Sequence, residues 1–254
     1  MQTSGRVSIM NRAPRWLVVL AVLGGLFVGL PWLAPLLMHW GWNAGGNAIY
    51  FIYSFVCHQL PERSYFLFGE KLTYGLSEIR TVWPETANPM LLRQFIGTAD
   101  MGWKVAWSDR MVSMYTSLWL TMTLGWMLRR PLPTLPLWGL ALLAIPMVVD
   151  GSSHLISDVA GIGRGFRDSN LWLAALTANR LPGTFYAGDA WGSFNSLMRL
   201  VTGLLFGASV AWFGVPYLSA LAIEPDPIAG AKLASASVHA NLLPARDESS
   251  KGRA

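Results

Sequence analysis

"WLVVLAVLGGLFVGLPWLAPLLM", residues 16–38, is an apolar run without a single charged residue. A membrane-crossing helix needs about 20 mainly apolar residues, and this run supplies them. Arg6, Arg12 and Arg15 precede it with no acid between them. A secretory signal also starts basic, but its apolar core spans only about 7–15 residues and ends at a small-residue cleavage site. This run is longer and has no such ending, so it reads as a retained anchor. Pro31 and Pro35 predict a kink in its outer end.

The rest of the chain agrees with this anchor. Of 254 residues, 53% are hydrophobic and 13% charged, with 13 Trp and 11 Met. A soluble domain carries about 25% charged residues, so too little polar surface exists here to cover several long apolar runs. The formal net charge is +5. Its basic residues stand beside apolar segments, where they act as topology signals facing lipid headgroups. No nucleic-acid-binding motif accompanies them.

Three more runs read as spans. One is "MVSMYTSLWLTMTLGWML", 111–128, closed by Arg129 and Arg130. The next is "LPLWGLALLAIPMVV", 135–149, stopped by Asp150. The last begins near Ser193 and covers 193–213. The expected fold is an all-α integral membrane protein of four transmembrane helices within 16–222. A basic arm, 1–15, precedes them and a polar tail rich in Ala, Ser and Pro, 223–254, follows. That tail has the composition of a disordered segment. The arm and the doubly positive link between spans two and three belong in the cytoplasm. This puts both termini in the cytoplasm and two long loops, 40–110 and 150–192, outside. The first loop is expected to form short helices on the outer face. Within it "NAIYFIYSFVC", 47–57, is too short to span and reads as an interfacial or re-entrant helix.

This topology brings distant polar stretches to one face. They are "CHQLPERS" with Cys57, His58, Gln59 and Arg63; Asp109 and Arg110 at the mouth of span two; Asp150 and His154 after span three; and Asn195 and Arg199 in span four. Arg199 falls nearly two helical turns inside its span. An arginine there is costly and seeks a partner in the bundle interior; Asp150 is the first expected partner and Asp109 the second. Asn195 and Arg199, four apart, share a helix face.

The order Cys57-His58-Gln59, Arg63-Ser64, Phe66, Gly69, Arg110 with Tyr115, Asp150-Gly151, then Asn195, Arg199, Thr202 and Gly203 resembles a family of small prokaryotic membrane proteins called domain of unknown function 2085. The resemblance covers roughly residues 50–210. It implies a multi-pass protein of a prokaryotic plasma membrane and brings no established activity. Family members typically carry cysteines around the arginine that precedes the tyrosine. Here Ser108 and Met111 occupy those places, and His154 replaces the usual Gln after Asp-Gly.

Several functions compete. A single cysteine excludes an internal disulfide and a Cys-x-x-Cys pair. Cys57, His58, His154 and Asp150 are donor types suited to zinc or copper, although adjacent ligands strain to reach one ion and the nearby arginines repel a cation. A Cys57 nucleophile assisted by His154 lacks an oxyanion motif, and no catalytic residue or cofactor is assigned. Arg63, Arg110 and Arg199 are forked donors suited to an anion or a lipid headgroup. The Trp content and the small residues Gly24, Gly25, Gly29, Gly203 and Gly207 suit helix contacts. They place a non-catalytic subunit or assembly factor of a larger membrane complex first, with lipid and other membrane subunits as partners and no nucleic acid.

Overall fold

The computed structural model describes residues 15–85, 87–127 and 134–221. The basic arm, the Arg129–Arg130 link and the polar tail, on which the inside–outside reading rests, lie outside the described residues. The chain divides into a unit ending at Pro216 and a second beginning at Tyr217; the sheet and all the candidate site residues belong to the first.

The anchor is helix α1, Arg15–His39, which stays helical through both prolines. After a glycine turn the chain folds back as α2, Asn43–Tyr53, packed along α1. It overlaps the short helix expected at 47–57 but begins earlier, at Asn43, and ends at Tyr53. A 3-10 turn, Pro61–Arg63, leads into β1, Ser64–Leu67, followed by the short helices α3, Leu76–Val82, and α4, Pro89–Leu92. Strands β2, Gly97–Thr98, and β3, Gly102–Ser108, come next. They are followed by helix α5, Asp109–Met127, and α6, Leu137–Asp158. Three short helices, α7 (Phe166–Ser169), α8 (Leu171–Leu176) and α9 (Gly183–Tyr186), lead to the long α10, Phe194–Leu221.

The fold is therefore not all-α. The long segment between α2 and α5 carries an antiparallel sheet in the order β1-β3-β2, with Ser64 opposite Ser108 and Gly97 opposite Trp103. The sequence "GWKVAWS" explains β3, because Trp103, Val105 and Trp107 alternate with Lys104, Ala106 and Ser108 at a strand's period of two. Gly102 permits the tight entry. Its φ is +75°, and a Cβ there would stand 2.1 Å from the Leu67 carbonyl oxygen. Trp107 is fully buried against Phe27 of α1, Tyr53 of α2 and Tyr115 of α5, with ring centroids 5.0–5.4 Å apart. One strand residue thus pins the sheet to three helices.

The third apolar run also ends differently. Helix α6 continues through Asp150–Gly151 to Asp158. Asp150 does not stop the helix because its charge is buried and paired, and Gly151 supplies room, since a Cβ there would meet an Arg110 nitrogen at 3.1 Å.

Three described helices are long and apolar enough to cross a membrane: Trp16–His39, Leu137–Asp158 and Phe194–Leu218. They leave apolar surface outward, as at Leu23 and Leu26 of α1, and Leu142, Ile145 and Val148 of α6. Helix α5 does not reach that apolarity among the described residues. It sits between neighbours instead. Its Trp119 lies over Gly24 and Gly25 of α1, and its Ser113, Met114 and Ser117 pack against Gly203 and Gly207 of α10. Its serines are hidden from lipid, which is why its composition is less apolar.

Candidate functional site

Four arginines and four aspartates form a nearly continuous network where the long helices meet the loops that join them. The 3-10 turn delivers Arg63. Its Nε donates to Asp189 at 3.0 Å and its two terminal nitrogens grip Asp158 at 2.7 and 2.8 Å. Helix α5 opens with Asp109–Arg110, which send opposite charges to different helices. Asp109 accepts Arg199 Nε on both oxygens, at 2.8 and 2.9 Å, while Arg110 donates to Asp150 at 2.7 Å. Arg167 of α7 donates to the other Asp150 oxygen at 2.7 Å and contacts His154 Nε2 at 3.1 Å. Asp189 in turn accepts both Arg63 and Arg199.

The expected first partner of Arg199, Asp150, is thus taken by Arg110 and Arg167; the second, Asp109, is the one observed. Asp150 follows α6, whose turns present it to α5 and α7 rather than to α10. The sequence motifs do not mark Asp158, Arg167 and Asp189 as site residues. Charge neutrality was the available signal: three arginines at one face require more carboxylates than Asp109 and Asp150 supply.

Burial of this kind is costly unless every charge is paired and hydrogen-bonded. Burial alone would disfavour the charge on Asp189, but Arg63 and Arg199 outweigh it and hold the carboxyl far below the usual range. Arg63 likewise resists desolvation because Asp189 and Asp158 hold it protonated. Asn195 serves the backbone, donating to the carbonyls of Arg167 and Gly188 at 2.7 and 3.0 Å and accepting from Asn170.

Cys57 is buried just outside this network. Its sulfur accepts the backbone N–H groups of Gln59, at 3.3 Å, and Ser108, at 3.4 Å. The thiol therefore ties the loop to the end of β3. Gln59, at φ +53°, donates its side-chain amide to the Tyr50 carbonyl. The four donors Cys57, His58, His154 and Asp150 do not form a metal centre. Among the described residues no three His, Cys, Asp or Glu side chains are grouped to hold an ion.

What the network does enclose is a cavity of about 250 Å³ walled by His58, Arg63, Arg110, His154, Asp158 and Arg199. His58 is exposed. Partial desolvation by the surrounding protein, and then the Arg63 charge, lower its pKa. It is neutral at physiological pH, consistent with Nδ1 accepting the Leu60 N–H at 3.3 Å. The arginines differ in how fully they are engaged. All donor nitrogens of Arg63 and Arg199 have acceptors, whereas Arg110 uses one terminal nitrogen on Asp150 and its Nε has no acceptor. Arg110 is also the most accessible of the four, at 16%. His154 Nδ1 lacks a partner too. With Nε2 accepting from Arg167, that nitrogen carries the ring proton.

Residues 100–213 match the model of the family described as "Predicted membrane protein (DUF2085)". The resemblance drawn from the sequence motifs is shown over this segment. It takes in Asp109, Arg110, Asp150, His154, Arg167, Asp189, Asn195 and Arg199 and leaves Cys57, His58, Gln59 and Arg63 outside. No curated protein and no solved structure matches the chain.

Proposed function

We propose that this membrane protein holds an oxyanion group, a carboxylate or a phosphate ester, in the cavity between α5, α6 and the 3-10 turn, without chemical conversion. The observation that carries the reading is the pair of unsatisfied N–H donors, Arg110 Nε and His154 Nδ1, on residues of one cavity wall. A buried donor without an acceptor costs about 1–3 kcal/mol; both nitrogens are covered, so an oxyanion in the cavity relieves that cost as the two side chains turn toward it. The balance of four arginines against four aspartates favours a singly charged group over a multivalent one. Free phosphate and an anionic lipid headgroup share this chemistry. The test uses the full chain in nanodiscs of zwitterionic lipid with inorganic phosphate, and in nanodiscs containing phosphatidylglycerol, read by native mass spectrometry. Retention of phosphate or of phosphatidylglycerol identifies the source, and Arg110→Gln lowers retention at least tenfold. Retention of neither, or an unchanged Arg110→Gln variant, refutes the reading.

In the same proposal α5 is the fourth span, with both termini cytoplasmic and the sheet outside. Its 19 residues correspond to about 28 Å at 1.5 Å per residue, close to the hydrocarbon thickness of about 30 Å. Single cysteines introduced on the arm and at the α8 surface, labelled from either side, test the orientation. The subunit role expected from the glycine faces has lost part of its support. Gly24, Gly25, Gly203 and Gly207 are filled from within the chain by α5, whereas Gly29 meets nothing within 4 Å.

A further inference from the structure

On the far side of the Arg63–Asp189–Arg199 wall lies a second, larger cavity of about 670 Å³, built from the two outer loops. The first loop contributes Glu62, the cations Lys71 and Arg80, and Glu78; the second contributes Asp168, Thr184, Asp189 and Trp191, so carboxylates outnumber cations in the lining. The backbone N–H of Trp191 donates to Thr73 Oγ1 at 2.8 Å and joins the two loops at its edge.

Its carboxylates differ in how they are satisfied. Asp189 is neutralised by two arginines. Asp168 accepts the Gly165 N–H, and Glu78 accepts Lys71 and the Gly75 N–H. Glu62 is the exception. It is 2% exposed, yet neither carboxylate oxygen accepts a hydrogen bond. Its neighbour Arg63 is committed to Asp158 and Asp189, and the buried Lys104 directs its ammonium to the carbonyls of Gln59 and Arg93. A fully buried carboxylate without donors is costly, and its oxygens are covered, so a cation in the neighbouring cavity offsets its charge through the protein rather than by a direct hydrogen bond. Trp191 adds an exposed indole to the same wall. A cavity with excess negative charge and an exposed indole in its lining is a combination that recognises organic ammonium groups.

We propose that this outer cavity binds an organic ammonium ligand, with Glu62 as its counter-ion and Trp191 as its aromatic wall. Being outside the arginine cavity, it stands or falls independently of the oxyanion reading. Binding couples to pH. Burial holds the Glu62 carboxyl up at about 7, against Arg63 and Lys104 and with Asp189 adding to the effect. Lys104, pushed down to about 7 by its own burial, loses its charge over the same range and also makes the region more negative as pH rises.

The test titrates butylammonium and 1-butanol into the full chain in nanodiscs by calorimetry. The expected result is at least tenfold tighter binding of butylammonium than of butanol, strengthening about tenfold from pH 6 to pH 8 as Glu62 ionises. Glu62→Gln abolishes the preference for the amine. Thr184→Trp, at an exposed wall position, fills the cavity and weakens butylammonium at least tenfold whether or not Glu62→Gln folds. Equal binding of the two probes overturns the proposal, as does a folded Glu62→Gln or a Thr184→Trp variant that binds butylammonium like the parent.

Discussion

Arg199→Met tests the ionic network at its most heavily used residue. Arg199 donates to both oxygens of Asp109, to the Asp189 carboxylate at 2.5 Å and to the Asp189 carbonyl at 2.9 Å, while only 3% exposed. After its removal Asp189 keeps Arg63, but Asp109 keeps only the Arg110 backbone N–H at 2.7 Å. Removing one partner of a buried pair costs about 3–5 kcal/mol, chiefly because the other charge is stranded. For a chain of this size 1 kcal/mol moves the melting temperature by roughly 2–4 °C, so Arg199→Met should melt roughly 6–20 °C lower in detergent. If a stranded Asp109 carries the cost, Asp109→Asn in the Arg199→Met background should recover much of the loss, with a coupling of at least about 1 kcal/mol. Light-scattering-controlled tryptophan fluorescence melts of the parent, both single variants and the double variant give the cycle. A melting temperature within about 2 °C of the parent for Arg199→Met, or simple additivity in the double variant, would refute the reasoning.

Further outcomes are expected at two glycines and at Glu62. Gly207→Ala places a methyl 2.0 Å from the Met114 carbonyl oxygen and 2.2 Å from Ser117 Oγ; α10 must move from α5, lowering the melting temperature. Gly29→Ala, with open space around it, should be neutral or slightly stabilising in the same melt. The Glu62 carboxyl is raised in the folded state from the ordinary 4.5 to about 7. Its contribution is therefore fully present below pH 4.5 and lost as pH rises through 7, a change of about 3 kcal/mol. The melting temperature of the parent relative to Glu62→Gln should accordingly fall by roughly 6–12 °C from pH 4.5 to pH 8, and a gap independent of pH contradicts a buried, ionisable Glu62.

The apolar runs were legible because bilayer thickness sets their length. Three became apolar helices, and the run at 111–128 became α5, whose ends fall at Asp109 and Met127. Convergence of Arg63, Asp109, Arg110, Asp150, His154 and Arg199 followed from placing them at one end of those helices. Pairing within the cluster did not follow, because it depends on rotation about each helix axis. Asp150 faces Arg110 and Arg167, not Arg199, and a linear spacing does not fix that angle between helices. The sheet was present in the alternation of Trp103, Val105 and Trp107 but was masked by the aromatic richness of the surrounding loop. Nothing in the local sequence distinguishes Glu62 and Lys104 from ordinary loop charges; the packing of β3 against the 3-10 turn buries them.

The dipeptide Asp109–Arg110 also sets an order in time. Arg110 finds Asp150 40 residues later in the chain, but Asp109 must wait 90 residues for Arg199. At synthesis rates of about 5–20 residues per second, Asp109 remains roughly 5–18 seconds without that cation. During this interval its support is the positive end of the helix it begins. The last of the described helices to be made is thus the one that supplies the cation for Asp109, and a ribosome stalled before residue 199 leaves behind a chain in which Asp109 lacks it.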